Sequence, residues 1–150
     1  MESEHASGRS FHILQAIEAN QSQRAEKICG TLNDRLASHA RDQQGARYFR
    51  NQNFEVVHNG PAGLASDQHA IQPSELYEWV YSYTPKSADA VFIGGNGVRA
   101  IGIIKALEEN LEWSVLTANQ AAFWQALSLS GTPAPVVGYG EIFAHQPPVP

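Results

Sequence analysis

Apolar residues change their spacing along the chain, and the changes predict alternating strands and helices. Ala90-Val91-Phe92-Ile93 is an unbroken apolar run, as expected of a parallel strand covered on both faces. Gly94-Gly95-Asn96-Gly97 follows at once, and Val98, Ile101, Ile104, Leu107 and Leu111 then recur at roughly helical spacing, which predicts strand, glycine turn and helix in that order. Val115-Leu116-Thr117 predicts another short strand. After it, Asn119 is positioned to cap a helix carrying Ala122, Phe123, Ala126 and Leu127. Gly131 closes that helix, and Pro133 and Pro135 prevent its continuation. Val136-Val137 reads as a last strand before Gly138-Tyr139-Gly140.

Upstream, residues 1 to about 10 read as frayed and residues 13–51 mainly as helix. Leu32, Leu36, Ala37 and Ala40 supply an apolar stripe there, opposite Arg35, Arg41, Asp42 and Arg47. Phe54-Glu55-Val56-Val57 has the β-branched content of a strand, and His58-Asn59-Gly60-Pro61 is turn chemistry that ends it. Pro73 suits the first turn of a helix, where its missing donor costs nothing, and Leu76, Tyr77, Val80 and Tyr81 mark the buried stripe. Strands alternating with helices predict an α/β fold, a parallel sheet with helices on both faces.

Composition narrows this picture. A chain of 150 residues, 43% hydrophobic, can bury one ordinary core. A net charge of −5 with only 17% charged residues lacks the basicity of a nucleic-acid footprint, so a small ligand is expected and no nucleic acid. One cysteine excludes an intramolecular disulfide framework. No apolar run approaches the roughly 20 residues that span a bilayer, and the polar start MESEHASGRS has no signal-peptide core. A cytoplasmic protein that engages no membrane is expected.

In parallel α/β sheets ligands sit beyond the carboxyl ends of the strands. There the sequence places Gly94, Gly95, Asn96 and Gly97 on one loop and Thr117 and Asn119 on the next. Glycines let backbone N–H groups approach a ligand, and a following helix adds unpaired donors and partial positive charge, so a carboxylate or phosphate suits the loop. The same glycines also serve a tight turn and close helix packing without any ligand. Gly95-Asn96-Gly97-Val98-Arg99-Ala100 additionally satisfies the G-x-G-x-x-A dinucleotide pattern, but the acidic residue required at the end of the next strand is replaced by Thr117, Ala118 and Asn119.

Three blocks in order carry a family resemblance: Ala88-Asp89-Ala90-Val91-Phe92-Ile93, the run from Thr117-Ala118-Asn119-Gln120 through Phe123-Trp124 to Leu127, and Gly138-Tyr139-Gly140-Glu141-Ile142-Phe143. They resemble the second half of the maleate isomerase, arylmalonate decarboxylase and Asp/Glu racemase superfamily. Weaker similarity reaches back through Tyr48-Phe49 and Asn53-Phe54 to Pro73-Ser74-Glu75-Leu76-Tyr77, whereas residues 1–36 match nothing recognisable. The expected division is therefore a largely helical segment, 1–36, and a racemase/isomerase-like domain, 37–150.

The resemblance implies a flavodoxin-like half of a two-half protein, with one reactive residue from each half around a small carboxylate and no cofactor. It also implies either self-association or a missing counterpart half. The superfamily's isomerases and racemases carry a cysteine in the loop that follows this strand, and by resemblance that position is Gly95, which has no thiol. Substrate-binding residues are expected to be Gly94, Gly95, Asn96, Gly97, Thr117, Asn119 and Tyr139, the last as a hydroxyl donor or as an aromatic cover at the sheet edge. Catalytic residues are not identifiable. The activity implied is isomerase, racemase or decarboxylase chemistry, and the alternative is an inactive carboxylate-binding or subunit-interaction module.

Other residues carry less. Cys29 reads as a small buried residue, His58 and His69 as solvated loop histidines, and no metal site is expected. Trp124 and Phe123 read as core. Arg99 fits either an anionic ligand or a surface acid.

Overall fold

The computed structural model describes residues 27–32, 39–61, 64, 67–95, 97–131 and 136–144. The expected fraying of 1–10, the expected helix over 13–26, Asn96, Pro133 and Pro135 lie outside the described residues.

Among the described residues four strands, β1 (Lys27–Leu32), β2 (Glu55–Pro61), β3 (Ala90–Gly94) and β4 (Ser114–Thr117), form one sheet in the order β2-β1-β3-β4. Every pairing is parallel. Among the described residues four α-helices, α1 (His39–Asn51), α2 (Pro73–Tyr83), α3 (Ile104–Leu111) and α4 (Ala118–Leu129), connect and cover it, followed by a 3-10 turn, Glu141–Ala144.

Strand alternation divides the core into two layers. Val91 and Ile93 join Leu76 and Val80 of α2 and Ile104 and Leu107 of α3 on one face. Ala90 and Phe92 join Phe49 of α1, Ala121 and Trp124 of α4 and Ile142 on the other. Every residue of β3 is buried, which is what its unbroken apolar run requires. The expected parallel sheet with helices on both faces is observed.

Several local expectations are corrected. The helix read across 27–32 is a strand, and an interior one: Ile28 pairs with Ala90 on one side and Val56 on the other. Backbone pairing on both flanks overrides a weak helical periodicity. β2 does not end at Val57 but runs through His58-Asn59-Gly60 to Pro61, because Cys29 to Leu32 supply partners past a register shift at Ile28/Cys29. Pro61 is tolerated at the end of this edge strand. Val136 and Val137 form no strand.

The turn after β3 is longer than expected. Residues 98–103 are turns and irregular backbone, and α3 begins only at Ile104. Within its stripe Ile104 and Leu107 are buried while Ile101 is exposed. Pro73 does open α2, but of that helix's expected stripe Leu76 and Val80 are buried while Tyr81 is exposed and stacks on Tyr77.

Candidate functional site

The strand order locates the switch point. The chain runs from β1 outward to β2, then crosses back so that β3 lies on the other side of β1. The strand order therefore reverses between β1 and β3, and it is outside the carboxyl ends of such a pair that parallel sheets bind ligands. Leu32 is paired with Gly94 at that edge, so the glycine loop lies directly beside it. Missing β1, the sequence reading placed this loop at a strand end but not at the switch point.

Gly95 has φ +104, in the left-handed region that side chains avoid. The Gly97 N–H donates to Gln68 Oε1 at 2.9 Å. A Cβ on Gly95 would lie 3.2 Å from both polar atoms of the Gln68 carboxamide, and one on Gly97 would lie 2.9 Å from its oxygen. The amide thus rests over both glycines, and His69 Nε2 lies 3.4 Å from the same Gly97 position.

Gln68 is delivered by a turn tied down at several points. Asp67 accepts from the His69 N–H at 3.0 Å through Oδ1, and from the Ala70 N–H at 3.0 Å through its carbonyl. Gln72 caps α2 in a reciprocal box with Glu75. Arg99 Nη2 donates to the Ile71 carbonyl at 3.2 Å, so this guanidinium braces the turn against the glycine loop.

Thr117 ends β4 opposite Ile93 and caps α4, replacing Asn119 in the expected role. Its Oγ1 accepts from the Gln120 N–H at 3.1 Å, and the Thr117 N–H donates to Gln120 Oε1 at 2.8 Å. The spacing Thr117-x-x-Gln120 is a capping-box signature that was readable in the sequence. Gln120 also donates through Nε2 to the Tyr139 carbonyl at 2.7 Å.

Asn119 and Tyr139 line a cavity of about 360 Å³ with Ile101, Gln120, Phe123, Val136 and Phe143. Its wall is mainly apolar, and neither Thr117 nor the glycine loop contributes to it. The expected site residues therefore separate into a polar loop at the switch point and an apolar pocket beside α4. Phe123, expected in the core, is half exposed at the pocket, while Trp124 is buried.

Between the pocket-lining Tyr139 and Phe143, Glu141 is fastened to Glu108 of α3, whose carboxylate accepts from the Glu141 N–H at 3.0 and 3.1 Å and from the Val115 N–H at 3.4 Å. Burial pushes the Glu108 carboxyl above its ordinary value, with the nearby Glu141 charge in the same direction, against the lowering effect of the two backbone bonds. Gly140, at φ +107, leaves no room for a Cβ beside the Gln120 amide. Neither Glu108 nor Gln68 was identifiable from sequence, since their partners are remote along the chain.

Cys29 is fully buried in β1, and burial raises its thiol pKa despite a hydrogen bond with Thr84. It has the character of a packing residue. His58, expected in a loop, lies in β2 beside Trp79. The dinucleotide pattern fails structurally as well, because no helix starts where the pattern requires one. Among the described residues no group of three or more His, Cys, Asp or Glu is arranged to hold a metal ion, and no helix is long and apolar enough to cross a membrane.

Solved structures share this architecture. Unliganded arylmalonate decarboxylase superposes with a TM-score of 0.77 at 16% identity, covering 91% of this chain and 59% of that one. Maleate isomerase from Pseudomonas putida S16, solved with maleate, gives 0.77 at 17% identity over 91% of this chain and 54% of that one. Nocardia farcinica maleate cis-trans isomerase, carrying a covalently bound succinylcysteine intermediate, gives 0.73 at 15% identity over 88% and 53%. At these identities the likeness establishes the fold, and the chain spans somewhat more than half the length of these relatives. No curated protein matches it. The sequence profile described as arylmalonate decarboxylase matches residues 13–143, nearly the whole chain, and on that match this protein belongs to the arylmalonate decarboxylase family.

Proposed function

We propose that this chain supplies one half of a small-carboxylate site, binding the ligand at the glycine loop and acting in isomerase-, racemase- or decarboxylase-type chemistry when a second half closes over it. The observation that carries this reading is the position of Gly94, Gly95 and Gly97 at the switch point of a parallel sheet, with Gly95 in a left-handed conformation and the Gly97 N–H already turned to an exchangeable acceptor, the Gln68 amide. Donors fixed there stabilise the negative charge that develops on a carboxylate or enediolate. The maleate held by the related isomerase is a ligand of the class proposed.

Gly95 stands where the resemblance puts a cysteine, so no covalent adduct forms there and the proton donor comes from the counterpart half. The pocket at Asn119 and Tyr139 takes the apolar part of a ligand or of the counterpart.

Calorimetry with malonate, maleate and succinate tests the reading. Weak binding that Gly97→Val abolishes supports it, and binding indifferent to that change places the ligand elsewhere. A screen against maleate, aspartate and aryl malonates, with and without a counterpart half, separates an enzyme from a binding module. The module reading is favoured by one observation, the Gln68 amide filling the space beside Gly95.

A further inference from the structure

We propose that Gln68 gates the glycine loop: its carboxamide oxygen holds the Gly97 backbone donor that a carboxylate ligand needs, so the ligand enters by displacing it. The inference rests on the carboxylate reading and adds a selectivity element to it.

The geometry is that of a ligand surrogate. Gln68 Oε1 accepts from the Gly97 N–H at 2.9 Å, and both amide atoms lie 3.2 Å from the Cβ position of Gly95. A carboxamide and a carboxylate are planar groups of nearly the same size, differing in charge. The charged acceptor makes the stronger bond to a backbone N–H, so exchange favours the carboxylate while the empty loop keeps its donor satisfied.

The backbone under Gln68 is held by the Asp67 turn, by the α2 capping box and by Arg99 on the Ile71 carbonyl. Motion is therefore assigned to the side chain, a rotamer swing rather than a loop opening. A gate of this kind rejects neutral acceptors, which gain nothing by replacing an equivalent amide, and admits anions.

The test uses the ¹⁵N-labelled full chain titrated with malonate, following the Gly97 amide resonance in the wild type, Gln68→Ala and Gln68→Glu. Removing the competing acceptor is expected to tighten malonate binding roughly three- to tenfold in Gln68→Ala. Gln68→Glu supplies an internal carboxylate, so its Gly97 resonance is expected near the malonate-saturated position before any malonate is added, with weakened binding. A residue that merely supports the loop would loosen binding when truncated. Equal or weaker malonate affinity in Gln68→Ala overturns the gate and leaves the carboxylate site standing. No malonate-dependent shift of Gly97 in any of the three chains overturns the site and the gate with it.

Discussion

The Gln120 carboxamide joins Tyr139 to the sheet: Nε2 donates to the Tyr139 carbonyl at 2.7 Å while Oε1 accepts from the Thr117 N–H at 2.8 Å. One nearly inaccessible side chain thus completes the α4 cap and fastens the bend at residues 138–140 to it. Gln120→Ala leaves a buried N–H and a partly buried carbonyl unpaired, and is expected to cost about 1–3 kcal/mol in urea unfolding. A loss below about 0.5 kcal/mol would mean that water or a neighbour replaces both bonds.

Glu108 makes stability depend on pH. Its folded pKa lies above the ordinary 4.5, so the stability tied to its protonated form is present below about that value and is lost as pH rises through the folded pKa. Glu108→Gln lacks this titration. Relative to the wild type, the variant is expected to gain stability between pH 4 and pH 7, the direction given by the raised carboxyl. Urea midpoints of both chains across that range check it, and parallel curves would remove Glu108 from the account.

Introducing a thiol at the glycine loop requires room. In Gly95→Cys the new Cβ meets Val98 at 3.1 Å and Gln68 at 3.2 Å with φ at +104, so a destabilisation of about 1–3 kcal/mol is expected. Adding Gln68→Ala should recover part of it, with a coupling of at least about 0.5 kcal/mol in a double-mutant cycle. In the double variant the introduced thiol is expected to react with iodoacetamide faster than Cys29, which is buried with a raised pKa. Additive single effects would show that Gln68 does not occupy that space.

The pocket rim is apolar and open. Ile101, Phe123 and Tyr139 line the cavity, and each is about half exposed, with Val137 almost fully exposed nearby. Self-association through this rim is expected in sedimentation at micromolar concentration. Phe123→Glu should raise the dissociation constant at least about fivefold, the effect of truncating an interface contact worth about 1 kcal/mol. A monomeric wild-type chain would exclude the rim as a contact between copies.

Legibility in the sequence followed how local each signal was. β3 was plain because five consecutive buried residues need no partner information, and Pro73 announced α2 by its missing donor. β1 was hidden. Its six residues, Lys-Ile-Cys-Gly-Thr-Leu, alternate poorly, and Leu32 leads into a helical spacing with Leu36 and Ala40. Gly30 weakens the strand signal further, although the fold needs it, since a Cβ there would lie 3.0 Å from Asn59 Oδ1 on the neighbouring strand. The glycine loop was found through composition, whereas Gln68 meets Gly97 across 29 residues and the contact exists only once the sheet has formed.

The interior place of β1 makes the order of assembly matter. It is the earliest described strand, yet its second partner, Ala90, arrives long after Ile28 has been made. Until β3 is added, one side of β1 is an unpaired row of amides and carbonyls, the kind of edge that recruits foreign chains. A fragment beginning after Leu32 would be worse off, since β2 and β3 would flank a vacant slot about two strand spacings wide, roughly 9–10 Å. Any other extended segment could fill that slot, and expression boundaries for this protein should therefore fall well upstream of Lys27.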